Sequence, residues 1–197
     1  MNALYVQTRM IHVKSETEWK KKILFESENV YICTDDNNNK IVTISSIKFK
    51  GKRSVDWKDV EGYLSRYRNM SAKILEKGCE IRIDGSFADE FCWSKDTKKL
   101  MGAFAKAKAN AAQAIIELIE NATNERYQPN MEQKHSSNAK YGWYRYTCRF
   151  QLPVMNEAGD IERFNQFRIE MVIRHASDHN RYLYDFVNIK KETSKPL

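Results

Sequence analysis

Residues 141–155, YGWYRYTCRFQLPVM, open a run of three segments that decides the fold of the chain. The second segment is DIERFNQFRIEMVIR at residues 160–174, and the third is RYLYDFVNIK at residues 181–190. β-Branched and aromatic residues fill all three, which favours strands, and the short polar runs between them are typical of turns. Because both connections are short, we predict an antiparallel meander of three strands.

The middle segment indicates which face of this meander is buried. Successive side chains of a strand point to opposite faces of the sheet. The more apolar face of this segment carries Asn165, Phe167, Ile169, Met171 and Ile173. We predict that this face packs against the core.

A long helix is predicted to cover the meander. In residues 97–121, TKKLMGAFAKAKANAAQAIIELIEN, apolar residues recur every three or four positions. The stripe consists of Leu100, Phe104, Ala107, Ala111, Ile115, Leu118 and Ala122. The predicted fold class is therefore α+β, with a long helix packed on a C-terminal antiparallel three-stranded meander. Lysines in the first half of the helix, such as Lys106 and Lys108, form either a solvated face or a surface presented to a partner.

The first 90 residues predict a smaller unit. Residues 29–34 and 40–49 favour a β-hairpin around the turn sequence DDNNN, and Asp56 is placed to cap a short helix. A short strand is expected at residues 80–84, followed by an irregular connection at residues 86–96. We predict two units, an N-terminal hairpin-and-helix unit of unknown role over residues 1–90 and a helix-on-sheet unit over residues 91–197.

Composition narrows the class of protein. The 197 residues include 33 Lys and Arg against 26 Asp and Glu, for a net charge of +7, which favours polyanionic partners. The four cysteines are scattered without a CxxC pair, which is typical of free thiols in a reducing compartment and argues against a zinc ribbon. There is no signal-peptide pattern and no apolar run of about 20 residues that would span a bilayer. The sequence predicts a cytoplasmic protein with no membrane partner, metal or cofactor.

The stretch from residue 126 to residue 149 combines cations with aromatic residues. Five basic residues stand against one acid, and five aromatic residues are interleaved with them. Cations neutralise phosphates and aromatic faces stack on unpaired bases, so the pattern predicts single-stranded or structured RNA as the partner. The predicted nucleic-acid-binding residues are Lys106, Lys108, Arg126, Lys134, Tyr141, Trp143, Tyr144 and Arg149.

From Leu100 onward, short words of the sequence resemble a known group of proteins. The words are ELIENA at the end of the predicted helix, GWYR opening one strand, VIRH ending the next and YLYDFVNIKKET in the last. With a basic, His-containing loop between them, this order resembles the nuclease-like domains of phage and integrative elements in Gram-positive bacteria, within the broad barnase, EndoU, colicin and RelE group. That resemblance implies a mobile-element protein similar to metal-independent ribonucleases.

The resemblance also implies roles for single residues. His135 would act as general base or acid, and Lys140 or Arg145 would stabilise the charge that develops on the phosphate. Tyr184 would orient the substrate or donate a second proton. No second histidine is predicted to join His135, because His175 and His179 fall in the last hairpin turn, where their spacing does not favour a zinc site.

Three functions follow as hypotheses. The first is a ribonuclease, which would lose cleavage but keep RNA binding when His135 is replaced by Ala. The second is an anti-CRISPR inhibitor, which would form a tight complex with a CRISPR effector nuclease and act through its protein or guide RNA without catalysis. The third is an RNA-binding adaptor with no chemistry, whose binding would weaken steeply with salt.

Overall fold

The described part of the chain folds into an eight-stranded mixed sheet that curls into a half-barrel. The computed structural model describes residues 29–51, 54–131 and 138–192, and strands make up about 40% of these residues. The predicted fold class, a long helix on a three-stranded meander, is therefore wrong. The three predicted strands exist and pair antiparallel, but they form the middle of a larger sheet.

The described residues form eight strands and five short helices. The strands are β1 (Val30–Thr34), β2 (Lys40–Ile44), β3 (Ser71–Ile74), β4 (Cys79–Arg82), β5 (Thr123–Gln128), β6 (Trp143–Met155), β7 (Ile161–His175) and β8 (Arg181–Lys191). The helices are α1 (Trp57–Leu64), α2 (Phe87–Trp93), α3 (Lys95–Lys98), α4 (Gly102–Ala111) and α5 (Ile115–Glu120). Single 3-10 turns follow α1 at Ser65–Tyr67 and separate α4 from α5 at Ala112–Ala114.

The strand order in the sheet is β1-β2-β6-β7-β8-β4-β3, and β5 pairs with β6 beside β2. Two of the pairings are parallel, β2 with β6 and β4 with β8, and the others are antiparallel. Strands from both sides of residue 90 therefore contribute to one sheet. Local pattern does not predict these parallel pairs, because their partners lie about 100 residues apart in the sequence.

The predicted long helix is broken at two places. Met101 is extended and Gly102 has a φ of +55°, which no α-helix contains, so α4 begins only there. The chain tightens again into the 3-10 turn before α5. Upstream, residues 86–96 are not irregular as predicted but form α2 and α3, with Phe87 and Phe91 buried.

Several local predictions are confirmed. β1 and β2 form the expected hairpin, and Asp56 caps α1 by accepting hydrogen bonds from the backbone N–H groups of Lys58 and Asp59 at 3.0 and 3.4 Å. On β7, Phe167, Ile169, Met171 and Ile173 are buried as expected. These features depend on residues that are close in sequence, which is why pattern alone predicts them.

One buried amide ties the loop after β2 to helix α4. The Asn110 side chain is fully buried, and its Oδ1 accepts hydrogen bonds from the backbone N–H groups of Lys48 and Phe49 at 2.9 and 3.1 Å. Its Nδ2 donates to the Phe49 carbonyl at 3.1 Å. This side chain thus replaces the backbone partners that an irregular segment lacks.

All helices in the described residues are short. The longest helix in the described part of the chain, α4, has ten residues, and none of the described helices is long and apolar enough to cross a bilayer.

Candidate nucleic-acid interface

Five aromatic and imidazole rings lie together at the end of the sheet where β6 begins and β7 ends. We call this the aromatic–imidazole surface; its members are Tyr127, Tyr141, Tyr144, His175 and His179. All five side chains are exposed or half-exposed, and Tyr127 is the most open of the tyrosines at 56%. Each of these side chains therefore has part of its surface in contact with solvent.

The rings follow one another in a continuous series. Ring centroids lie 5.3 Å apart from Tyr127 to Tyr144, 6.0 Å from Tyr144 to His175 and 5.0 Å from His175 to Tyr141. His179 completes the series by stacking on Tyr141 at 4.5 Å, and its Nε2 lies 3.1 Å from the Tyr141 hydroxyl. Such an array offers several adjacent π faces, the arrangement on which unpaired bases stack.

Strand register explains why these residues meet. Tyr127 lies directly opposite Tyr144 on β5 and β6. The backbone N–H of Tyr141 donates to the His175 carbonyl at 3.0 Å, and the N–H of His175 donates to the Gly142 carbonyl at 3.0 Å, so the pairing with the end of β7 continues past the start of β6. Gly142 allows β5 to lie close to the start of β6, since a Cβ at this position would lie 2.7 Å from the Gln128 carbonyl oxygen. Its φ of +86° also favours glycine.

Two cations border the surface. The Arg181 guanidinium lies 4.0 Å from the Tyr144 ring centroid, and the Lys140 ammonium lies 5.4 Å from that of Tyr141. Burial and the neighbouring Arg181 charge lower the pKa of His175 below its ordinary value of 6.5. The His175 imidazole is therefore mainly neutral at pH 7 and able to accept a proton.

The structure brings together only some of the predicted binding residues. Tyr141 and Tyr144 belong to the aromatic–imidazole surface, whereas Lys106 lies half-buried on α4. The Lys108 ammonium is buried and donates hydrogen bonds to Asp185 Oδ1 at 2.7 Å and Thr97 Oγ1 at 2.6 Å. Lys108 is thus a core residue that no phosphate reaches, contrary to its predicted role.

Other predicted binding residues lie on the opposite face of the sheet. Alternation along β6 directs Tyr146 and Cys148 toward the helices, where the Cys148 thiol donates to the Leu118 carbonyl of α5. Arg145 and Arg149 therefore point the other way. Arg126 shares their face, since it lies directly opposite Arg145 on β5 and β6.

The four residues predicted to be catalytic do not form one cluster in the described residues. Lys140 borders the aromatic–imidazole surface, Arg145 is ion-paired with Glu170, and Tyr184 packs edge-on against Trp143 with ring centroids 5.0 Å apart. Burial and a hydrogen bond with Glu90 raise the pKa of Tyr184, which makes it a poor proton donor near neutral pH. His135 and Lys134 lie outside the described residues.

The sequence does not predict that His175 and His179 contact Tyr141 or that Arg181 contacts Tyr144. The available signal was the meander itself, which brings the end of its second strand beside the start of its first and third. His179 does lie in the turn after β7, as predicted, whereas His175 is the last residue of β7 and pairs with the residues just before β6.

A groove of about 700 Å³ lies elsewhere, between α1 and α2. Its charged lining residues are Lys58, Glu61, Arg68 and Asp84, whose charges cancel. The groove therefore provides no electrostatic attraction for a polyanion, and the aromatic–imidazole surface is the stronger candidate despite being shallow.

Metal ligation and similarity to known proteins complete the description of the site. Across residues 29–51, 54–131 and 138–192, no group of three or more His, Cys, Asp or Glu side chains is arranged to hold a metal ion. Comparison of the chain with protein-family models, curated proteins and solved structures found no match.

Proposed function

We propose that this chain binds single-stranded RNA through the aromatic–imidazole surface. The observation that carries the proposal is the continuous series of five exposed or half-exposed rings bordered by Lys140 and Arg181. Bases stack on such rings, and the cations attract the phosphates. The net charge of +7 adds long-range attraction for RNA.

Single strands fit this surface better than duplexes. Stacking on aromatic side chains requires bases whose faces are free, and a duplex covers those faces. Groove reading commonly uses an exposed helix, whereas α4, the longest helix of the described residues, is largely buried in the core. The favoured ligand is an unpaired stretch or loop.

Replacing Tyr127 by Leu is expected to weaken binding of a single-stranded oligouridylate by about 5- to 150-fold, since stacking of one base contributes about 1–3 kcal/mol. Leucine keeps an apolar side chain at this exposed position but removes the π face. Fluorescence anisotropy at fixed salt measures the effect. Tyr31→Leu is the matched control, because Tyr31 is also an exposed strand tyrosine and lies on β1. Equal affinities for the two variants would refute the assignment of the surface.

Two imidazoles favour a second function at the same place, a metal-independent ribonuclease. His175 and His179 both contact Tyr141, beside Lys140 and Arg181. In such a reaction one imidazole removes the proton of a ribose 2′-hydroxyl, whose oxygen attacks the adjacent phosphorus. The bond to the 5′-oxygen then breaks, a second acid protonates that oxygen, and a cyclic phosphate remains. The low pKa of His175 suits the role of base.

Cleavage of single-stranded RNA without added metal is expected to disappear in His175→Ala while binding persists, because the substitution removes the proposed base. Since burial and the Arg181 charge lower the pKa of His175, the fall in rate as the imidazole becomes protonated should occur below the pH range in which an ordinary histidine titrates. Arg181→Gln should move this acid limb to higher pH, because it removes a nearby positive charge that disfavours imidazolium. A denaturing gel provides the readout.

His135→Ala, run in parallel, separates the two possible bases. Loss of cleavage in His135→Ala with normal cleavage in His175→Ala would assign the base to residue 135. Intact RNA in every lane would leave RNA binding without catalysis.

A further inference from the structure

Two glutamates on the sheet face opposite the helices each hold two arginines. Glu170 of β7 pairs with Arg126 of β5 and Arg145 of β6. Glu192, just after β8, pairs with the Nε atoms of two further arginines, Arg149 of β6 at 3.2 Å and Arg168 of β7 at 3.6 Å. We call these four arginines the arginine face; they are Arg126, Arg145, Arg149 and Arg168.

The register of the strands places like charges directly opposite each other. Arg126 lies opposite Arg145, and Arg149 lies opposite Arg168. Such pairs repel unless a carboxylate lies between them. Each glutamate offsets that repulsion but supplies only one negative charge for two positive ones, so each group keeps a net charge of +1.

Exposure shows which charges face the solvent. The Glu170 side chain is 14% exposed, whereas that of Arg126 is 60% exposed. In the second group, Glu192 is 30% exposed and Arg168 is 46% exposed. The carboxylates therefore lie beneath the outermost guanidinium of each group, those of Arg126 and Arg168, whereas Arg145 and Arg149 are 32% and 18% exposed. A guanidinium has five N–H donors, so donors remain for an external anion.

Further hydrogen bonds of Glu170 and of Arg145 reinforce this arrangement. Asn188 Nδ2 donates to Glu170 Oε1 at 3.3 Å, and Arg145 Nε donates to Gln128 Oε1 at 3.3 Å. Hydrogen bonds and charges from both arginines lower the pKa of Glu170 despite its partial burial, so the carboxylate stays ionised at neutral pH. Arginine side chains held in place in advance lose less entropy when they bind a phosphate.

Strand β5 connects the arginine face with the aromatic–imidazole surface. Among the described strands, β5 pairs with β6 alone, so no other described strand lies along its second edge. Arg126 and Tyr127 are consecutive on this strand and point to opposite faces of the sheet. A single strand that crosses the β5 edge would meet the phosphate-binding donors on one side and the ring faces on the other.

We propose that the arginine face binds phosphodiesters of the same RNA strand whose bases stack on the aromatic–imidazole surface, the strand passing over the edge of β5. This inference rests on the proposed function. Arg145 and Arg149 are four residues apart on β6, which separates the two groups by roughly 13 Å and gives each of them a different phosphate.

The test compares oligouridylates of about four and about twelve nucleotides across a range of salt concentrations. The short ligand reaches only the aromatic–imidazole surface, whereas the long one also reaches the arginine face. In Arg126→Gln/Arg145→Gln, the magnitude of the slope of log K against log salt for the long ligand should decrease by about 0.7, since the substitutions remove one phosphate contact and each such contact on a single strand contributes about 0.7. Affinity for the short ligand should stay unchanged.

A charge-matched control separates local contacts from loss of net charge. Lys73→Gln/Arg163→Gln removes two exposed or half-exposed cations from β3 and β7 and should leave the slope at the wild-type value.

The outcomes distinguish the two proposals. A wild-type slope in Arg126→Gln/Arg145→Gln, with both ligands still bound, would overturn the phosphate assignment and leave the proposed function standing. Failure of the wild-type protein to bind either ligand would overturn both.

Discussion

Lys108→Ala is expected to destabilise the protein by about 3–5 kcal/mol, the usual cost of leaving one member of a buried ion pair without its partner. The Lys108 side chain is 1% exposed, and its Nζ contacts Asp185 and Thr97 and lies 4.7 Å from the Phe91 ring centroid. This one ammonium therefore joins α2, α3 and α4 to β8. Its loss leaves the Asp185 carboxylate buried without a counter-charge.

The matching double variant, Lys108→Met/Asp185→Leu, is expected to have a free energy of unfolding close to that of the wild type or higher. Burial lowers the pKa of Lys108 and raises that of Asp185, so desolvation outweighs the mutual attraction of the ionised pair. Apolar side chains of similar size fill the same space without that cost. Urea unfolding of both variants measures the difference, with Lys98→Ala on exposed α3 as a control expected within about 0.5 kcal/mol of wild type. A Lys108→Ala variant as stable as this control would contradict the account.

Asn110→Ala is expected to lower the free energy of unfolding by about 2–4 kcal/mol, because each buried donor or acceptor left without a partner costs about 1–3 kcal/mol. The substitution removes the acceptor of the Lys48 and Phe49 N–H groups and the donor to the Phe49 carbonyl. We expect the loss to appear both in urea unfolding and as faster hydrogen exchange of these two amides.

Asn121→Ala provides the comparison for Asn110. The half-buried Asn121 amide donates one hydrogen bond, to the Glu117 carbonyl at 2.9 Å, so its loss should cost about 1 kcal/mol. Equal effects of the two alanine substitutions would show that Asn110 does not hold the loop in place.

The parts of the fold that were predictable from sequence depend on local chemistry. The DDNNN turn, the Asp56 cap and the alternation of Phe167, Ile169 and Met171 each act over a few residues. The parallel pairings of β2 with β6 and of β4 with β8 join distant segments, and no periodicity encodes them. The prediction of one long helix was wrong because the periodic stripe of apolar residues continues past Met101 and Gly102, where the backbone is not helical.

The candidate site likewise has features that the sequence predicts and features that only the structure reveals. The sequence places Tyr144 and Arg145 on opposite faces of one strand, and the structure agrees with this alternation. It does not reveal that Lys108, in a lysine-rich helix segment, is buried, because the reason is an aspartate 77 residues later. The position of His175 beside Tyr141 likewise depends on the pairing of two separate strands.

The most direct test of RNA binding at the aromatic–imidazole surface is photocrosslinking. An oligouridylate that carries one photoreactive uracil is bound to the intact protein and irradiated, and the crosslinked peptides are identified by mass spectrometry. We expect crosslinks at Tyr127, Tyr141 or Tyr144, which competing unlabelled oligouridylate should suppress. Crosslinks confined to the groove between α1 and α2, or none at saturating RNA, would contradict the assignment.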